Sequence, residues 1–175
     1  LTRGESVFTE NAELEGTETA VLRFDRTGSA LFTNVDRLNA FEGTVAWSAN
    51  ASATTTIRDD DVLTAGHFVS RNATGGRDLV LEVDAELSDD LRFESVDLAL
   101  TDGHAIRAGS YDARQSLAGS RLTLESGSRY EQGAWGNMEL GGLTTQSGST
   151  LAFENPLLVE GASISASGSV AIGSG

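Results

Sequence analysis

Carboxylates are the first residues of this chain that could do chemistry. Asp59-Asp60-Asp61 is a run of three acids between two strand-like stretches, and Asp84, Glu86, Asp89 and Asp90 form a second group. Hard cations such as Ca²⁺ take six to eight oxygen ligands. Asp59, Asp60 and Asp61 are therefore the candidate metal ligands, and calcium is the one cofactor they suggest, although a charge run of this kind also suits a solvated loop. Carboxylates roughly 5–9 Å apart serve glycosidases. Asp97 and Asp102 are candidates for that work by position alone, and nothing in the sequence separates them from other surface acids. His67 and His104 have no His or Cys neighbour at metal-site spacing, and His104, after Asp102-Gly103, reads as a turn residue. Trp135, in Gln132-Gly133-Ala134-Trp135-Gly136, sits in a loop context and is the candidate ligand-binding residue. Trp47 continues a strand and is expected in the core.

The elements that must position these residues read as strands, because apolar residues recur with period two. In Asp78 to Leu87, Leu79, Leu81, Val83, Ala85 and Leu87 share one face, while Glu82, Asp84 and Glu86 share the other. Leu91 to Leu100 alternates too, with a slip of phase near Ser95 that predicts a bend or bulge. Further strands are expected at Ala20–Phe24, Ala30–Thr33, Thr44–Trp47, Thr54–Arg58, Val62–Ser70, His104–Arg107, Arg121–Glu125, Met138–Leu140, Thr150–Glu154, Leu157–Val159 and Ile164–Ile172. The one helical candidate is a single turn at Tyr111–Leu117, between Gly109 and Gly119.

Composition narrows the class. The 175 residues suit one domain, or one segment of a longer repetitive protein. There is no cysteine, which removes disulfides, thiolate metal sites and cysteine nucleophiles. Acids outnumber bases 26 to 12, for a net charge of −14, and all the bases are Arg. Phosphate binding needs a basic face, so nucleic acid is not an expected partner. No apolar run approaches the ~20 residues of a membrane span. The chain opens neither on Met nor on a signal peptide, so a mature or excised segment is expected. Residues 1–118 form an acidic, loop-bearing part and residues 119–175 a Gly/Ser/Thr-rich part of one all-β unit.

A short unit recurs: Gly-Ser, one residue, then apolar-x-apolar. It is Gly119-Ser120-Arg121-Leu122-Thr123-Leu124, then Gly148-Ser149-Thr150-Leu151-Ala152-Phe153, then Gly168-Ser169-Val170-Ala171-Ile172, with an imperfect copy at Gly28-Ser29-Ala30-Leu31-Phe32. Gly and Ser at corners, short strands between them and loops of variable length suit a stacked parallel β-solenoid. Seven or eight coils of about 20–25 residues would fit. The rival is an antiparallel β-sandwich or jelly roll, whose hairpins call for tight turn pairs. Asp102-Gly103 is the only such pair here.

The stretch from Leu117 to Gly175, above all Gly148 to Phe153 and Leu157 to Gly175, resembles the passenger stalk of bacterial autotransporters and two-partner-secreted adhesins. Thr19 to Trp47 is similar to the strand repeats of the same passengers. The resemblance implies a right-handed β-helix, located outside the cell or on its outer surface. Its implied work is adhesion or aggregation, with itself or a host or cell-surface ligand as partner, and it carries over no catalytic residues. Separately, Val62-Leu63-Thr64-Ala65-Gly66-His67-Phe68-Val69 resembles the segment around the catalytic His of trypsin-like serine proteases. Val96 to Leu100 resembles the strand of their orienting Asp, and Gln146-Ser147-Gly148-Ser149 echoes their nucleophile loop. That likeness implies His67, Asp97 and Ser147 as a triad. Phe68 replaces the usual Cys, Ser147 lacks the preceding Gly-Asp, and only 80 residues separate His67 from Ser147. Gly75-Gly76-Arg77-Asp78-Leu79 resembles one turn of a calcium-binding nonapeptide β-roll.

The sequence thus predicts a non-enzymatic, extracellular structural or adhesive protein. The alternative is a subunit of a self-assembling filament or coat joined by strand pairing, and a serine protease is the minor third.

Overall fold

A computed structural model describes residues 6–8, 21–24, 29–48, 54–71, 78–101, 103–133, 140–153, 163–166 and 169–172. The chain returns eight times to one sheet. The first pass gives β1 (Ser6–Phe8) and β2 (Val21–Phe24); the second gives β3 (Ala30–Phe32), α1 (Val35–Asn39) and β4 (Thr44–Ser48). The third gives β5 (Thr55–Arg58) and β6 (Gly66–Arg71), and the fourth β7 (Leu79–Glu82), β8 (Ala85–Leu87) and β9 (Leu91–Glu94). The fifth gives β10 (Asp97–Leu100), β11 (Ala105–Ala108) and α2 (Ala113–Ser116). The last three give β12 (Arg121–Leu124) with β13 (Arg129–Gln132), β14 (Gly142–Thr145) with β15 (Thr150–Phe153), and β16 (Ser163–Ala166) with β17 (Ser169–Ile172).

Among the described residues every strand pairing is parallel, and the first sheet runs β1-β3-β5-β7-β10-β12-β14-β16 in ascending order. This is a parallel β-solenoid, not a sandwich. Register partners lie 19 to 25 residues apart along that sheet. Two shorter sheets form the other walls: β2-β4-β6-β9 and β8-β11-β13-β15-β17. The fourth pass contributes a strand to all three. In two passes a helix lies beside a shorter sheet: α1 stands between β3 and β4 in the second, and α2 follows β11 in the fifth and packs on β9, the last strand of the β2-β4-β6-β9 sheet.

The core is a set of ladders, one residue per pass. Leu79, Leu98, Leu122 and Leu143 are register partners and all buried, as are Ile57, Leu81, Leu100 and Leu124. On the second wall Phe68 and Phe93 are partners, with their rings stacked at a 5.3 Å centroid distance. Parallel in-register pairing puts like on like, so an aliphatic chain with few aromatics builds columns of Leu.

The alternation read in Asp78 to Leu87 is real, but the stretch is two strands, not one. Leu79, Leu81, Val83, Ala85 and Leu87 are all buried, because the chain turns a corner at Val83-Asp84 while keeping the same face inward. The slip at Ser95 is likewise a corner, with Ser95 at φ 54° between β9 and β10. The expected strand Val62–Ser70 breaks at Gly66, φ 129°, leaving a single bridge from Leu63 to Ala85 before β6. The expected turn at Tyr111–Leu117 is α2. Asp102, Met138 and Leu157–Val159 lie outside the described residues.

The Gly-Ser unit is a corner. Gly119 and Gly148 adopt φ of 67° and 83°, which glycine enters without a Cβ clash. The following serine is buried and caps a carbonyl: Ser120 Oγ donates to Phe93 O at 3.0 Å and Ser149 Oγ to Gln146 O at 2.7 Å. Gly127-Ser128-Arg129-Tyr130 is a further copy, with Ser128 Oγ donating to Leu100 O at 2.8 Å. It escaped the sequence pattern because buried Tyr130 occupies the first apolar position. Its hydroxyl donates to Gln132 Oε1 at 3.2 Å inside the solenoid, and burial raises its pKa.

α1 was not expected, and its neighbours explain it. Asn34 Oδ1 accepts from Arg37 N–H at 3.0 Å as an N-cap, and Asp59 Oδ2, from the next pass, accepts from Val35 N–H at 2.7 Å. At the other end Asn39 acts as a strand would. Its Oδ1 accepts from Thr64 N–H at 2.8 Å and Ala65 N–H at 3.2 Å, and its Nδ2 donates to Val62 O at 3.0 Å. Asn39→Leu keeps the size and removes all three bonds. It is expected to lower stability by about 1–3 kcal/mol, the cost of orphaned backbone groups, as read from urea unfolding at unchanged m-value.

Candidate functional site

Each strand holds its outward side chains one pass away from those of the next strand, so charges meet between passes. Arg58 pairs with Glu82, and Arg121 grips Asp97 with Nε–Oδ1 and Nη2–Oδ2 contacts of 2.7 and 2.9 Å. Arg107 reaches Asp84 at 3.2 Å and Glu131 at 3.5 Å, and Arg129 reaches Glu131 at 3.7 Å. His67 Nε2 lies 3.1 Å from Glu94, and His104 Nδ1 lies 3.5 Å from Asp84.

Among the described residues, clefts open beside the strands. One of about 460 Å³ is lined by Thr33, Arg58, Asp59, Asp60, Glu82 and His104. A second, of about 380 Å³, is lined by Asn39, Phe41, Glu42, Ala65, Gly66, His67 and Asp90. A third, of about 430 Å³, lies over Arg107, Gly109, Glu131 and Gly133. Charged groups edge all three.

Asp84 is the best-held carboxylate beside them. Burial works to raise its pKa, but three partners outweigh burial and hold it below the ordinary value of 3.8: the Ala105 N–H at 2.8 Å, the Arg107 guanidinium and the adjacent His104. Asp89 is raised, first by a hydrogen bond with Asp112 and then by the charge of Asp112.

The residues singled out in the sequence fall apart in space. His67 stands on β6 with Thr44 and Glu94 as its ring partners, whereas Asp97 starts β10 in a different sheet with both oxygens on Arg121. Ser147 is exposed in the turn between β14 and β15. The structure does not bring His67 and Asp97 together, and Ser147 lies in a turn apart from both. The order His, Asp, Ser along the chain reflects three separate corners and strands.

The acidic run has a structural use. Asp59 spends one oxygen on Val35 N–H and the other on the N–H groups of Asp60 and Asp61, at 2.7 and 3.4 Å. Asp60 and Asp61 themselves are exposed. Among the described residues no three His, Cys, Asp or Glu side chains converge on a point that would hold a metal ion. Asp97 is buried and locked by Arg121, which leaves it poorly placed for acid/base work, and its suggested partner Asp102 lies outside the described residues. Trp135 and the Gly75–Arg77 turn also lie outside them. Trp47 belongs to β4, but its side chain is not described.

Sequence reasoning missed the inter-pass pairs themselves. Their signal is a charge of opposite sign about one coil length on, as in Arg58–Glu82 and Asp97–Arg121, and it becomes visible only once the register is known. Among the described residues no helix is long and apolar enough to cross a membrane. In comparisons with known proteins, no family model, no curated protein and no solved structure matches the chain.

Two outcomes follow from this geometry. A fluorophosphonate probe is expected to leave Ser147 unlabelled, as read by mass spectrometry of the intact chain. Because the pKa of Asp84 is lowered on folding, its charge stabilises the fold above the ordinary carboxylate range, and that contribution is lost as pH falls through the lowered value. Asp84→Asn is expected to cost about 1 kcal/mol or less at neutral pH, since a third of the side chain is in water. Its unfolding curve should merge with that of the wild type in strong acid.

Proposed function

We propose that the chain is a structural and adhesive segment of a rod displayed outside the cell. One observation carries this reading: the outward charges are used to tie each pass to the next. Arg58–Glu82, Asp97–Arg121 and Arg107–Asp84/Glu131 run along the stack and do not converge on one cleft. Such pairing suits a load-bearing or display surface, where the backbone ladders bear tension and the corners present loops of variable length. The surplus of acids keeps such a surface soluble and repels other acidic surfaces. The location, and a host or cell-surface partner, follow from the resemblance to passenger stalks quoted above.

A second reading has its own observation. Residues 161–175, which include β16 and β17, carry no charged side chain. Charges on strand edges discourage pairing between copies, and their absence favours a filament or coat subunit assembled by strand addition.

The test is to display the chain on a non-adherent bacterium and count retention on glycan- and cell-coated surfaces, with negative-stain electron microscopy of the purified chain alongside. Retention above that of an undisplayed control, with separate particles in the micrographs, supports the adhesive rod. Regular fibres with no retention favour the filament subunit, and neither outcome would leave both readings without support.

A further inference from the structure

Asp78 and Asp97 sit side by side at the start of β7 and β10, and both are buried, at 6% and 4% exposure. Their backbones hold them together. Asp78 N–H donates to Asp97 O at 2.8 Å, and Asp97 N–H donates to the Asp78 side chain, Oδ2, at 3.2 Å. Next along the same outward face come Val80 and Ala99, which are buried as well, so the pair has an apolar floor.

The charges around the pair do not balance. Arg121, on β12, donates from Nε and Nη2 to the two Asp97 oxygens. From β5 comes only a backbone group, Thr55 N–H, which donates to Asp78 O at 3.0 Å. From β6 comes Ser70, itself 3% exposed, whose hydroxyl lies close to the Asp78 carboxyl but completes no well-formed hydrogen bond. Among the described residues the two buried carboxylates face one cation, Arg121, whose hydrogen bonds go to Asp97 and which reaches Asp78 only through its charge. Like charges this close in a low dielectric do not both ionise freely.

We propose that Asp78 is a proton-operated catch at the start of β7, where it meets β10. The protonated carboxyl is uncharged beside Asp97, keeps Oδ2 as the acceptor for Asp97 N–H, and gains an O–H that can donate to the Ser70 hydroxyl. Loss of that proton sets a bare carboxylate against Asp97 and loosens the link between β6, β7 and β10. Burial is the largest influence and raises the Asp78 pKa above 3.8; the Asp97 N–H pulls it down, the Asp97 charge raises it again, and Ser70 and the Arg121 charge lower it by less, leaving it raised.

The sign is opposite to that of Asp84. With the folded pKa raised, the folded chain keeps a proton that the unfolded chain has already lost. The stabilisation is complete below the ordinary value of 3.8 and disappears as pH rises through the raised value. The link between the starts of β7 and β10 is tight in acid and loose near neutrality.

Carboxyl ¹³C NMR of the whole chain, with amide exchange at about pH 4 and pH 8 corrected for intrinsic rates, tests this. The Asp78 carboxyl carbon is expected to titrate above 3.8. The protection of Asp97 N–H should fall roughly tenfold for each pH unit between 3.8 and that titration, where one proton is linked to opening, and level off above it. Asp78→Asn should hold the same protection at both pH values. Titration of Asp78 at or below 3.8, or an equal loss of protection in Asp78→Asn, overturns the proposal. Should Asp78→Asn fail to fold, the wild-type titration decides alone.

Discussion

No single pass of this chain can satisfy its own backbone. Its strands are three to six residues long, and their N–H and C=O groups point along the stack. Each strand therefore depends on the pass before and the pass after. Once the passes stack in register, inward positions fall into columns, outward charges fall beside outward charges, and corners fall over corners. The Leu79-Leu98-Leu122-Leu143 column, the Arg121 grip on Asp97 and the Gly-Ser turns all follow from that one dependence.

The same dependence explains the two helices. A missing strand would leave an edge of the neighbouring sheet without partners. Asn39, at the end of α1, bonds to Thr64 N–H, Ala65 N–H and Val62 O through its side chain. α2 packs against β9, while Ser120 takes up Phe93 O. Both devices replace a strand's hydrogen bonds with side chains: α1 lies two passes before the sheet begun by β8, and α2 one pass after β9, the last strand of the other.

Period-two alternation and the Gly-Ser corners made the fold class legible, because the inward face stays inward around each bend. The same property hid the boundaries: nothing in Leu79 to Leu87 marks the corner at Val83-Asp84, since every second residue is buried on both sides of it. α1 was illegible because its support comes from Asp59, one pass away in space. The candidate site residues were less legible still. A likeness of three short segments to a protease, and their order along the chain, group His67, Asp97 and Ser147, but register decides neighbours here, and it gives His67 to Glu94 and Asp97 to Arg121. The shortest register step in the long sheet, 19 residues from Leu79 to Leu98, is what brings Asp78 against Asp97. A one-residue change in that step would separate them.

Register is thus the central claim, and a chain without cysteine allows a direct test of it. Thr123 and Thr144 are partners on the outward face of β12 and β14, while Thr56 shares their column three strands away on β5. Adjacent strands lie about 4.8 Å apart, within disulfide reach, so Thr123→Cys with Thr144→Cys should cross-link under mild oxidation. Thr56→Cys with Thr123→Cys, roughly 14 Å apart by the same spacing, should not. Cross-linking of the second pair, or failure of the first in a folded protein, would contradict the stacked register.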